Sequence, residues 1–281
     1  MKFSNKHNLT RRFPFLVLIA FVMVLSSCQE KEELKEPAAY VNPFIGTDAH
    51  GHTFPGATLP FGMVQLSPDT RLGGWDGASG YHYSDSVIYG FSHTALNGTG
   101  VGDYGDILLM PVVGEPKFIN DDYLSPFRKE TEKAEAGYYT VFLDKPGVQA
   151  EMTATTRVGY HRYTFPEGAE ANLIIDLQHR DRVTDSWIEF VSDTEIRGMR
   201  RSTNWANDMI WFFHMEFSRP IVRKGIALDD ALQPDLLFAQ GLNVKAFVGF
   251  DTSDNAPVEV KVAISAVDHE GAYKNLKAEI P

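Results

Sequence analysis

From Val148 onward the chain alternates apolar and polar positions with a period of two. Met152, Ala154, Thr156 and Val158 interleave with Glu151, Thr153, Thr155 and Arg157. Met209, Trp211, Phe213, Met215 and Phe217 share one face of a strand whose other face carries His214 and Glu216. Val258, Val260, Val262 and Ile264 stand in the same way opposite Glu259 and Lys261. Successive strand side chains point to opposite faces, so this alternation predicts antiparallel sheets with one face packed and one face wetter. Shorter apolar runs predict further strands at residues 87–91, 107–113, 138–143, 173–177, 188–191 and 244–250. No segment before residue 270 has the period of a helix of three turns. Residues 271–276 begin one. The fold class is therefore all-β: one large antiparallel β-sandwich over residues 40–270, followed at 271–281 by the start of an interdomain linker.

The N-terminus changes the picture of where the protein resides. Lys2, Lys6, Arg11 and Arg12 precede an apolar run from Phe13 to Leu25, short for a membrane span but the length of a signal-peptide core. It ends in Leu25-Ser26-Ser27-Cys28, which reads as a bacterial lipobox, with Cys28 as the lipid-bearing residue. Residues 1–27 are then a lipoprotein signal peptide. Residues 28–39 are a charged tether with little to bury. Acid-rich tethers after such a cysteine are similar to the surface-export signals of Bacteroidota lipoproteins. The expected location is the outer membrane, anchored through lipid and facing the periplasm or the outside. Cys28 is the only cysteine, so no internal disulfide forms.

The formal charge of the whole chain is −11, and loss of the four cations in residues 1–27 takes it to −15. So acidic a body argues against nucleic acid as a partner, which needs clustered Lys and Arg. A neutral sugar or a bound cation is compatible with it.

Residues 42–105 behave differently from the rest, being rich in Gly, His, Asp and aromatic side chains with little alternation. Long irregular stretches in compact domains tend to be functional loops. His50 and His52 have the spacing of two ligands on one strand face, but nothing nearby completes a zinc site. The glycines from Gly98 to Gly102 lack the lysine of a phosphate-binding loop, and Asp103 and Asp106 lack the spacing of an EF-hand. Trp75, Tyr81 and Tyr83 stand among glycines, where a large ring can offer its face to the apolar C–H face of a sugar. Simple packing of a loop-covered sheet is the competing explanation.

Taken together the motifs resemble the opening of family 92 glycoside hydrolases. The matching segments are 41–47 (VNPFIGT), 50–63 (HGHTFPGATLPFGM), 65–69 (QLSPD), 79–85 (SGYHYSD), 90–94 (GFSHT) and 98–103 (GTGVGD). Gly198-Met199-Arg200-Arg201-Ser202 with Trp205-Ala206, and Glu270-Gly271-Ala272, continue the likeness to the end of the chain. The resemblance implies an inverting, exo-acting, calcium-dependent α-mannosidase. In such enzymes an N-terminal sandwich packs on a C-terminal (α/α)6 barrel, and the site lies between the two. It also implies that the catalytic acid and base, and most calcium ligands, lie in the barrel beyond Pro281. No catalytic or metal residue is then expected in this chain, and the chain is expected to be a fragment missing its barrel. Its share of the site would be loops walling a mannose pocket, with Trp75, His50, His52, Tyr81, His82, His93 and Asp103 as substrate-binding candidates. The implied partner is a mannose-containing glycan.

Two departures bear on that pocket. Gly77 and Ala78 stand where the family usually carries a bulky aromatic and a cysteine, and Ala95 stands where a second histidine is usual. Whether this chain belongs to an enzyme is left open by sequence. The alternatives are a non-catalytic carbohydrate-binding surface lipoprotein, or a truncated relic whose barrel-facing apolar surface is exposed.

Overall fold

In the computed structural model, residues 36–281 are described. The signal peptide, Cys28 and the tether up to residue 35 lie outside the described residues. Pro37–Tyr40 forms one 3-10 turn, in a unit separate from Val41–Pro281.

The period-two segments pair into two large antiparallel sheets. From edge to edge, the nine-stranded sheet runs Phe238–Gly241, Arg182–Phe190, Glu195–Thr203, Met209–Phe217, Val258–Ser265, Val158–Thr164, Val148–Ala154, Tyr138–Leu143 and Lys133–Glu135. The eight-stranded sheet runs Ala57–Thr58, Gln65–Asp69, Gly90–Ser92, Leu108–Val113, Ala171–Asp176, Val244–Phe250, Ile221–Leu228 and Ala231–Gln233. Their inner faces share one core, with Leu66, Phe91, Leu109 and Val248 from one sheet and Tyr139, Met152, Phe213 and Val260 from the other. Across it, the Phe91 ring lies 6.5 Å from Tyr139 and 6.4 Å from Tyr163, and Phe217 lies 5.4 Å from Phe250. Burial of such rings and aliphatic chains is what drives the two layers together.

The outer faces differ from simple alternation. Every residue of Ala171–Asp176 and Val244–Phe250 is buried, because segments outside the sandwich cover the eight-stranded sheet. Phe118 packs on Phe247, and Tyr123 donates its hydroxyl to Asp176 at 2.7 Å. Lys245, in register with Asp176, donates to Asp230 at 2.8 Å. On the nine-stranded sheet, the helix His269–Glu279 lies over part of the face expected to be wet. Asp268 caps it by accepting from the Gly271 N–H, and Leu276 packs on Val158 and Ala263. His214 is consequently buried, with the Tyr273 ring 5.0 Å away.

Among the strands that escape the sequence pattern, three do so for identifiable reasons. Glu195–Thr203 carries three arginines in place of an alternating apolar set. Ile221–Leu228 shifts register between Ile221 and Arg223. Gln65–Asp69 buries Ser67 and Asp69 inside the region that reads as irregular chain.

Candidate functional site

A buried polar chain fixes the loops at one end of the sandwich. Arg200, wholly buried on Glu195–Thr203, donates to the Leu177 carbonyl at 2.8 Å and to Asp181 Oδ1 at 2.5 Å. It also donates to Asp106 and to the Arg180 carbonyl. Asp106 accepts from the Thr94 hydroxyl at 2.6 Å. Arg180 donates to the Gly77 and Ala78 carbonyls, each at 3.1 Å, and His179 donates to Asp69 at 2.8 Å. Asp181 sits at φ 46°, in the left-handed region. Burial raises its carboxyl above the usual range, against the opposing pull of Arg200. At Gly80 a Cβ would fall 1.9 Å from Asp69, so only glycine permits this close approach.

Above that base lies an open cleft of about 390 Å³, bounded by Trp75, Gly100, Gly102, Arg180, Asp181 and Asn204. Trp75 is 57% exposed, and a Cβ at Gly100 would meet its indole nitrogen at 1.9 Å. The His52 ring stands edge-on to Trp75 at 4.3 Å, and the His50 ring lies 4.9 Å from it. His50 Nδ1 pairs with Asp76 at 2.5 Å, and this bond holds the Asp76 carboxyl below its ordinary range. The Gly98 N–H donates to the His52 carbonyl at 2.7 Å, and His82 donates to the Ala49 carbonyl at 3.1 Å. These two bonds brace the loops that carry the imidazoles.

The remaining candidates hold other positions. Asp103 is buried and accepts from the backbone N–H of Trp205 at 3.2 Å and of Ala206 at 2.8 Å, which pins the glycine-rich loop to the 203–208 turn. Tyr81 is buried, donating to Glu132 at 3.0 Å and accepting from Lys129 at 2.7 Å. His93 is wholly buried, its Nδ1 donating to the Ile107 carbonyl at 2.7 Å. Thus His50 and His52 pack on the Trp75 ring, which alone of the three lines the cleft, while His52 and His82 are themselves buried. Tyr81 and His93 present no surface to a ligand because each is enclosed by its own hydrogen-bond partners. Gly77 and Ala78 are buried under the cleft, and Ala95 lines a neighbouring one.

Sequence reasoning did not single out Asp76, Arg180, Asp181 or Asn204 as site residues. The run 198–202 with Trp205-Ala206 was the available signal, since its turn delivers Asn204. A larger cleft of about 520 Å³ lies beside Tyr123 and Lys145 and contains none of these side chains. Replacing Asp103 by alanine leaves two backbone N–H groups without their acceptor. We expect about 1–3 kcal/mol lower stability in urea unfolding.

The profile described as the glycosyl hydrolase family 92 N-terminal domain matches residues 40–265. The family GH92 alpha-mannosidase BT3965 from Bacteroides thetaiotaomicron, solved in complex with mannoimidazole, is 36% identical with a TM-score of 0.82. That match covers 87% of this chain and 34% of the other. The family GH92 inverting mannosidase BT2199 from Bacteroides thetaiotaomicron VPI-5482 is 28% identical with a TM-score of 0.78, covering 88% and 34%. An uncharacterized secreted glycosidase of Arthroderma benhamiae is 28% identical over 298 residues, 96% of this chain and 38% of that protein. The chain therefore spans little more than a third of the length of these relatives.

Proposed function

From the premise that this chain belongs to the glycosyl hydrolase family 92 N-terminal domain family, we propose that it is the sandwich part of an inverting, exo-acting α-mannosidase, supplying loops that wall the sugar pocket. The observation that carries this is the exposed Trp75 indole beside two imidazoles at a cleft of about 390 Å³. A hexose can lay its C–H face on that indole. With His50 Nδ1–H given to Asp76, Nε2 is left as an acceptor for a sugar hydroxyl.

An inverting hydrolysis needs one carboxylic acid to protonate the leaving oxygen and one carboxylate to activate water. The two carboxylates that Arg200 holds, Asp106 and Asp181, are committed to that arginine. We therefore assign acid and base to a barrel outside this chain, and the residues here to binding and orientation. Among the described residues no three His, Cys, Asp or Glu side chains come together as a metal site. We place most of the calcium ligands beyond the chain as well. A calorimetric titration of the chain at micromolar calcium should show no binding, and tight binding would overturn that assignment.

The glycan would be met at the cell envelope, with Cys28 as anchor; the similarity to a secreted glycosidase supports export. The committed carboxylates favour one other arrangement, a carbohydrate-binding lipoprotein without turnover.

Trp75→Ala tests the pocket. Because the ring is exposed, the thermal midpoint should stay unchanged. Affinity for methyl α-mannoside should fall by about 2 kcal/mol, the loss of an aromatic anchor. Unchanged affinity would remove Trp75 from the site.

A further inference from the structure

The turn that follows Ala57–Thr58 displays a run of apolar side chains. Leu59, Pro60, Phe61 and Met63 are all exposed, and the Phe61 ring is exposed completely. The turn is closed by the Gly62 N–H, which donates to the Leu59 carbonyl at 2.9 Å. Phe61 sits at φ 60°, in the left-handed region. Proline in second place and a positive φ in third mark a type II turn, whose third position ordinarily takes glycine. A bulky residue there is strained, and such strain persists only where the surroundings impose it.

Here they do. The Thr58 hydroxyl is shared between the Leu59 and Val64 carbonyls, at 3.2 and 3.1 Å. The Met63 and Val64 N–H groups both donate to the Thr156 carbonyl, at 2.7 and 3.1 Å, and Val64 is wholly buried. The turn is thus a rigid mount, and the ring it holds out contributes nothing to the core of this chain. Gly62 and Met63 place it at the loop end of the sandwich, where they line a cleft with Asn97 and Tyr104.

The C-terminal helix ends against the same mount. Glu279, in its last turn, accepts from the Arg157 N–H at 2.9 Å, from the Arg157 guanidinium at 2.5 Å and from the Thr155 hydroxyl. Thr156, which holds Met63 and Val64, lies between those two residues. Chain joined to the helix therefore starts beside the Phe61 turn, and this chain spans little more than a third of its relatives.

We propose that Phe61, flanked by Leu59 and Met63, is a docking knob that seats in an apolar pocket of the barrel outside this chain. It would fix that barrel over the loops that carry Trp75. This rests on the assignment of the chain to the sandwich of a two-domain protein. Burial of the ring in the barrel offsets the strain of the turn, which the sandwich alone leaves uncompensated. Phe61 is then a positioning residue and touches no sugar.

The test is alkylation of Phe61→Cys by a maleimide, followed at that peptide by mass spectrometry. It compares the 281-residue chain, which closes its own core, with the product of the complete reading frame, both carrying Cys28→Ser. Residue 61 should react freely in the chain alone and at least about tenfold more slowly in the complete product. Phe61→Gly relieves the strain, so it should raise the thermal midpoint of the chain alone by about 2–4 °C. In the complete product it should lower the midpoint, because it empties the seat of the ring. Equal reactivity in the two forms, or a midpoint raised in both, would overturn the docking knob while leaving the Trp75 cleft to its own variant. A reading frame that closes after Pro281 would overturn it too. Protection that appears in the chain alone and grows with concentration would seat the ring in a second copy and overturn the barrel as its partner. Protection in the complete product without any mannoside hydrolysis would support the knob and remove the enzymatic reading.

Discussion

Arg200→Met should cost about 3–5 kcal/mol of folding stability, the largest effect expected of any single change in this chain. The guanidinium is completely enclosed and sits between Asp106 and Asp181, whose side chains are enclosed as well. Methionine fills much of the volume, so packing is not the main loss. What remains is two buried carboxylates without a counter-charge, and the Leu177 and Arg180 carbonyls without their donor. The protein would respond partly by protonating them, so the loss should shrink as pH falls. Urea unfolding of Arg200→Met at pH 7 and pH 5 reads both features. Adding Asp106→Asn and Asp181→Asn should recover part of the loss, because neutral amides need no cation. A loss below 1 kcal/mol at pH 7 would mean that the loops carry their own stability and that Arg200 is not their anchor.

Acid should weaken the fold before most carboxylates titrate. His93, His161 and Tyr163 form a wholly buried row in which only one arrangement of neutral hydrogens fits. His93 Nδ1–H donates to the Ile107 carbonyl, so its Nε2 accepts from His161 Nε2–H at 2.9 Å. His161 Nδ1 in turn accepts from the Tyr163 hydroxyl at 2.9 Å. A proton on His93 Nε2 would set it against the His161 N–H, and one on His161 Nδ1 would face the hydroxyl hydrogen that Tyr163 donates there. Burial lowers His93 from 6.5 to about 4, and burial together with the charge of His93 pushes His161 well below its ordinary value.

The unfolded chain therefore binds more protons than the folded one below pH 6.5, and stability must fall with pH there. His93 contributes in full above pH 6.5. By pH 4 it has cost on the order of 3 kcal/mol. His214, lowered by burial under the C-terminal helix, acts in the same direction. Urea midpoints measured from pH 7.5 to pH 5 should decline across this range. A flat profile would show that the histidine row takes up protons without strain.

The strands with one packed face were legible because their period is the pairing geometry itself. Tyr138–Leu143 has the predicted bounds, and so does Val244–Phe250, although it is buried on both faces. The strand bearing Arg200 was not, since a buried arginine with two carboxylate partners looks in sequence like a solvated charge. The site was legible in the same partial way. Glycine-rich chain with His and Trp located the loops, and His50, His52 and Trp75 do meet there. Residue type does not say which way a side chain points, however. Tyr81 and Tyr83 are two residues apart in one irregular segment, yet Tyr81 is enclosed by Glu132 and Lys129 while Tyr83 is 40% exposed. Asp181 and Asn204 come from turns more than a hundred residues away from Trp75. Only the register of Arg182–Phe190 against Glu195–Thr203 brings those turns together at the cleft.

The most direct measurement is hydrolysis of an α-mannoside by the product of the complete reading frame, with the anomer followed by proton NMR as it forms. An α-mannosidase of the proposed kind releases mannose whose first-formed anomer is β, and Trp75→Ala slows that release. Mannoside binding without any released mannose, at a cleft still sensitive to Trp75→Ala, would contradict the enzymatic assignment and leave a carbohydrate-binding lipoprotein in its place.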